Sequence, residues 1–316
     1  MNKDLAIVYH NLSIMLDAGM SILKSLNTAA AGSKGRLGKT LSVVAHDLSK
    51  GSSLAEEMAK YPRIFAPLDV ITVETAETSG DLPRAFKLLS QWYEFRVRLK
   101  RIVISPLMLP LVIIHVAAFV IPLRVLIGRL SVQNYLTTAA KTLVVLYVPV
   151  VVVFATYCLI RRSGQGRRLW DAFVLRIPIL GQAVRQLALS RYCRAFDMLL
   201  RAGVPITACA EKAADASGNA VMAELLREGA ESARDGKMVC EGFGRKLPAD
   251  FVELWRTGEE VGELDNTVAH LAEDTSETGE QLAMEFCKWV PRIIYFIVVI
   301  LMALVIITSY MALLSL

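Results

Sequence analysis

Residues 193–217 read CRAFDMLLRAGVPITACAEKAADAS, and residues 9–33 read YHNLSIMLDAGMSILKSLNTAAAGS. Laid over one another without a gap at an offset of 184, they pair Gly19 with Gly203 and Leu16 with Leu200. Ala18, Ile22, Ala29, Ala30 and Ser33 likewise meet Ala202, Ile206, Ala213, Ala214 and Ser217. Two amphipathic helices share letters by chance, so the later landmarks decide. Gly51-Ser52-Ser53-Leu54 answers Gly236-Lys237-Met238-Val239. Glu77-Thr78-Ser79-Gly80-Asp81-Leu82 answers Glu259-Glu260-Val261-Gly262-Glu263-Leu264, and Pro106 answers Pro291, each proline opening a long apolar run. Order and spacing hold throughout, which is the mark of an internal duplication of a domain with its trailing apolar segment.

The apolar runs explain the composition. The chain of 316 residues is 54% hydrophobic, with a mean hydropathy of +0.45. Ile102–Leu123, Leu143–Ile160 and Ile293–Leu316 carry no acidic or basic residue, apart from His115 in the first. At about 1.5 Å per residue they reach roughly 33, 27 and 36 Å, against a hydrocarbon core of about 30 Å. Three transmembrane helices are therefore expected. No signal peptide is expected at the N-terminus, where Asp4 and Asp17 bracket an amphipathic run. Lys87, Arg96, Arg98, Lys100 and Arg101 precede the first run, and Arg161, Arg162, Arg167 and Arg168 follow the second. The connection between them holds Arg124, Arg129 and Lys141. That bias places both large polar regions in the cytoplasm.

Between the apolar runs every periodic segment has helical spacing. Helices are predicted at 4–18, 22–31, 37–50, a short one opened by the capping box Ser53-x-x-Glu56, one from Pro67 to Ser79, and one from Asp81 onward. The second copy predicts 187–201, 206–216, 220–235, 238–246, 249–258 and 263–288, with Pro205 in a first-turn position. The reading is all-α: two homologous six-helix bundle cytoplasmic domains with three transmembrane helices. The domains are 1–101, a transmembrane hairpin 102–160, a second helical domain 161–290 and a last span 291–316. A kink is expected at Pro106 and Pro291.

Chemistry finds little purchase. Ser33–Thr40, SKGRLGKT, resembles a phosphate-binding loop but lacks its first glycine and the preceding strand, so a flexible basic loop is expected instead. Glu74 and Glu77 share a helical face; near a helix end a solvated or capping role outweighs acid–base work, and the same holds for Glu259 and Glu260. His115, inside an apolar run, is expected to be neutral and bonded to a neighbouring helix. Cys158, Cys193, Cys209, Cys240 and Cys287 show no metal-ligand spacing, and reduced thiols are expected. Net charge is +5, yet the basic residues crowd beside the apolar runs where anionic lipids attract them, so no nucleic-acid partner is expected. No catalytic constellation, cofactor or metal site is read, so the chain is not expected to be an enzyme.

These features resemble the type II secretion system protein F family. The resemblance is carried by Leu16-Asp17-Ala18-Gly19, by Leu200-Arg201-Ala202-Gly203 with Pro205-Ile206, and by Glu77, Gly80, Leu82, Glu259, Gly262 and Leu264. It covers nearly the whole chain. The sequence as given opens directly in the first domain, where many members of that family have an extension before it, and its expected outside loop, Arg124–Thr142, is short. The resemblance implies a multi-pass platform protein of the bacterial inner membrane in a type II secretion or type IV pilus machine. Its implied partners are a hexameric ATPase, pilin or pseudopilin subunits, other inner-membrane components and further copies of itself, with Glu74 and Glu260 as candidate partner contacts. A small transporter or channel component is the alternative, with polar groups in the spans too sparse to mark a path.

Overall fold

The computed structural model describes residues 1–104 and 164–314 apart from Arg245, with scattered positions between 105 and 163. The described residues are predominantly helical and contain no strand. The chain divides into two compact units. Residues 1–100 and 183–279 form one, so both copies of the repeat belong to it; residues 101–182 and 280–316 form the other.

The first copy is built from α1 (Asn2–Asp17), α2 (Ile22–Gly32), α3 (Gly35–Leu48), α4 (Leu54–Ala59), α5 (Pro67–Ser79) and α6 (Leu82–Ile104). Its core follows the predicted stripe: Leu5, Val8, Tyr9 and Leu12 of α1 are buried with Leu26, Leu41, Val44, Phe86 and Leu89. Tyr9 stacks on Phe86 at 5.7 Å and meets Tyr93 at 5.6 Å. Each such side chain contributes about 1.5–3 kcal/mol by leaving water. The stretch expected as a flexible basic loop is mostly helix. Gly35 already opens α3, and Ser33 and Lys34 alone bridge it to α2, because the first turn of a helix tolerates glycine and needs no apolar residue of its own.

After α7 (Gly164–Arg176), a helix the apolar periodicity does not announce, the second copy comprises α8 (Leu180–Arg201), α9 (Ile206–Ala216), α10 (Ala220–Arg234), a 3₁₀ turn (Val239–Gly242), α11 (Ala249–Val261) and α12 (Leu264–Leu314). Its core is aromatic: Trp255 is fully buried, with Phe196 at 5.0 Å, Phe243 at 5.2 Å and Tyr192 at 5.5 Å. The helix predicted over 238–246 is this single 3₁₀ turn. A Cβ at Gly242 would lie 2.1 Å from the Glu228 carbonyl oxygen, so the turn is pressed onto α10 backbone to backbone. The glycines that permit that approach also weaken a longer helix.

The two copies meet within the first unit through unlike elements. The Arg194 guanidinium of α8 lies 4.3 Å from the Phe95 ring of α6, and Leu88, Gln91 and Trp92 line a crevice with Arg194, Asp197 and Met198. Met198 is 3% exposed here, whereas Ile14, its counterpart in the first copy, is 55% exposed. Contact on one copy is therefore not mirrored on the other.

α12 continues through Pro291, the position at which a kink is expected; the missing N–H removes one hydrogen bond without ending the helix. Pro106 lies outside the described residues. Among the described residues no single helix is long and apolar enough to cross a membrane. One pair bent by 117°, Gly166–Arg176 with Leu180–Arg201, passes by length and composition. Its second member is the buried core helix α8, with Leu189, Tyr192 and Phe196 fully covered. His115 and Tyr147, one from each of the first two apolar runs, are joined by a 2.6 Å hydrogen bond, the kind of partner expected for that histidine.

Candidate functional site

The duplicated Glu-x-x-Gly-x-Leu signature forms the same latch twice. A helix start leaves backbone N–H groups without partners and carries partial positive charge, so it attracts a carboxylate. Glu77, in the last turn of α5, reaches back to the start of α4. It accepts from Leu54 N at 2.7 Å, Ala55 N at 3.0 Å and the Ser53 hydroxyl at 2.7 Å. Glu259 of α11 does the same at the 3₁₀ turn, accepting from Val239 N at 2.6 Å and Cys240 N at 3.2 Å. The acceptors and donors occupy matching positions of the repeat, and the second latch lacks the hydroxyl because Met238 stands where the first copy has Ser53. The Ser53 hydroxyl also accepts from Glu56 N at 3.5 Å, the half of the capping box read from sequence. The carboxylate that reaches this helix start, however, is Glu77's, from another element.

Three residues beyond each glutamate the helix closes through a left-handed glycine. Gly80 has φ 79° and Gly262 has φ 78°, and the residue after each donates back to Ala76 O and Gly258 O. Leu82 and Leu264 then open α6 and α12. Glutamate, glycine and leucine thus fix where the fifth helix ends and in which direction the long sixth one leaves. Gly19 and Gly203 close the first helix of each copy in the same manner, with Met20 N donating to Met15 O and Val204 N to Leu199 O. Pro205 holds the capping position itself rather than the first turn, its carbonyl accepting from Cys209 N.

The remaining candidates separate from the latch. Glu74 is exposed and borders an apolar groove of Pro62, Phe65, Val70 and Ile71 together with Lys212; Glu260 is exposed on α11. Glu74 and Glu77 do not form an acid–base pair, since Glu77 is occupied by three donors. Among the described residues no group of His, Cys, Asp or Glu could hold a metal. Cys193, Cys209, Cys240 and Cys287 are buried and form no disulfide among the described residues, and burial pushes their thiols above the ordinary range; Cys158 lies outside the described residues.

One buried group escaped the sequence reading. Asp69, near the start of α5, is fully buried; its Oδ2 accepts from Ala66 N at 2.8 Å and from the Tyr93 hydroxyl of α6 at 2.7 Å. Its Oδ1 and the Tyr9 hydroxyl are buried without a hydrogen bond among the described residues. Burial pushes the carboxyl up to about 6, against the opposing pull of those bonds. The signal available was Asp69 three residues after Ala66 at a Pro67 helix start, a pattern for capping that says nothing of a tyrosine on another helix.

Comparison with known proteins matches the type II secretion system (T2SS), protein F, model over residues 8–128 and 192–315, one segment in each copy of the repeat. The chain is 25% identical to the type II secretion system protein F of Pseudomonas aeruginosa, covering 96% of this chain and 80% of that one. It is 27% identical to the type IV pilus assembly protein PilC of Thermus thermophilus, covering 94% and 79%. It is 22% identical to the type II secretion system protein F of Vibrio cholerae, covering 88% and 73%. With a family model matched across both copies, and with the signature of each copy built into one recurring latch, the chain belongs to the type II secretion system protein F family.

Proposed function

We propose that this chain is the non-enzymatic inner-membrane platform of a type II secretion or type IV pilus-like machine, coupling a cytoplasmic ATPase to assembly of pilin-like subunits. The observation that carries the reading is helix continuity. The latched end of each bundle opens directly into a long helix, α6 through Ile104 and α12 through Leu314, which takes the chain into an apolar run without a joint. The membrane assignment of that last run rests on the sequence, in which Ile293–Leu316 carries no charged residue. The domains are then 1–101, 102–160, 161–290 and 291–316, with both helical regions in the cytoplasm of a bacterial cell. Displacement of a bundle by a hexameric ATPase would pass along α6 and α12 to the spans, where pilin or pseudopilin subunits and other inner-membrane components are engaged.

The test has two parts. Single cysteines at the exposed positions Lys39 and Glu231, in a background without the native five, should both be shielded from a membrane-impermeant reagent in intact cells and both label once the membrane is opened; labelling of one alone in intact cells breaks the topology. Site-specific crosslinkers at Glu74 and Glu260 should capture the ATPase of the same machine, and failure at every exposed site of both copies would remove the coupling role.

A further inference from the structure

At the seam between the two copies α6 and α8 run antiparallel. Met198 lies by Leu88 and Trp92, and Arg194 lies over Phe95, so Arg191, one turn earlier on α8, comes opposite the turn of α6 that carries Arg96 and Arg98. The guanidinium carbon of Arg98 is 5.9 Å from the Phe95 ring centroid and that of Arg96 is 5.6 Å from Tyr93, so both cations are held on aromatic faces. Arg194 neighbours Asp197, and Arg96 bears on buried Asp69. Arg191 has no such offset. Its Nε donates to Leu187 O at 2.9 Å on its own helix, and it makes no ion pair among the described residues. Its Nη1 would be 2.6 Å from any Cβ on Gly218, so that glycine leaves room for the guanidinium against the backbone. The side chain is half-buried, and burial together with the charge of Arg96 lowers its proton affinity to about 10. It stays charged at neutral pH.

A half-buried guanidinium that faces another and lacks a carboxylate is costly unless an anion joins it. The cluster is also peculiar to the seam. The repeat places Ile7 at the position of Arg191, Thr278 at that of Arg96 and Glu280 at that of Arg98. We propose that Arg96 and Arg191 form a binding site for a phosphoryl anion, the two guanidiniums supplying its hydrogen bonds. The planar forks suit phosphate oxygens. Two sources share that chemistry, an anionic lipid headgroup and a free phosphate. Arg96 precedes Ile102 by six residues, about 9 Å along the helix, which is close to the headgroup layer if the apolar run crosses a bilayer. The lipid source rests on the membrane reading above; the phosphoryl site itself does not.

The experiment is thermal unfolding of the full chain in neutral detergent micelles, titrated with phosphatidylglycerol, with phosphatidylcholine, or with inorganic phosphate. Phosphatidylglycerol should raise Tm and phosphatidylcholine should not. R96Q/R191Q should weaken the phosphatidylglycerol effect by about tenfold or more, while R36Q, an exposed arginine on α3, should leave it intact. In plain micelles R191Q should melt no lower than the parent chain, since a guanidinium without a carboxylate has been removed; a lower Tm would count against an unoccupied site there. If R96Q/R191Q does not fold, R191K keeps the charge and loses the fork, and should still weaken the lipid effect. A shift with phosphate equal to that with phosphatidylglycerol supports the site and makes free phosphate the source; this is also the result if the membrane reading fails. No shift with either anion, or a shift unchanged by both variants, overturns the proposal.

Discussion

Glu77 and Glu259 carry the same duty with unequal means. Three donors meet the first, one of them the Ser53 hydroxyl, and two meet the second. Hydrogen bonds to a charged acceptor contribute about 1.5–3 kcal/mol each when shielded and less where water competes. E77A should therefore destabilise the chain by about 2–3 kcal/mol and E259A by about 1–2 kcal/mol, read as the order of their melting temperatures. Asp69 makes a pH-dependent prediction. Its folded value of about 6 lies above the ordinary aspartate value of 3.8. The folded chain thus binds the proton more tightly than the unfolded one. The stabilising contribution is complete below about pH 4 and is lost as pH rises through about 6. D69N, which keeps the shape without the charge, should gain on the parent chain across that window by on the order of 2–3 kcal/mol, levelling above pH 7. A Tm difference that does not vary between pH 4 and 7.5 would contradict this.

The elements show what the sequence can and cannot disclose. Helix ends were legible wherever a local rule writes them: Gly19, Gly80, Gly203 and Gly262 mark turns because a left-handed residue is needed there. The partners of Glu77 were not legible, since its carboxylate accepts from backbone N–H groups more than twenty residues away that have no letter in the sequence. The same holds for the 3₁₀ turn, set by the close approach of α10 rather than by the propensity of Val239–Gly242. These two kinds of glycine should respond differently to substitution. Gly262 has open space around a Cβ, so G262A should cost about 1–2 kcal/mol from backbone strain alone, and G262N less, since asparagine tolerates that conformation. Gly258 has right-handed helical geometry, but a Cβ would fall 2.3 Å from the Thr267 hydroxyl of α12. G258A should cost about 2–3 kcal/mol, with G258N worse still, as chemical denaturation of the four variants would show.

At the scale of the molecule, duplication was readable from paired landmarks, whereas the way the copies pack was not, because the covered face of α8 and the open face of α1 look equally amphipathic. Phe95 tests the seam directly. F95L keeps an apolar side chain but removes the ring beneath Arg194 and beside Trp92, a change of about 1–2 kcal/mol. Hydrogen exchange should quicken along α6 and α8 and stay unchanged in α2 and α3; uniform quickening would mean the seam is not a separable contact. The unequal burial of Met198 and Ile14 reaches further back. Had two identical ancestors faced each other across a twofold axis before their genes fused, these side chains would have been sheltered alike. One is sheltered and the other is not, so the contact between the copies is heterologous, a joint with direction rather than a closed pair.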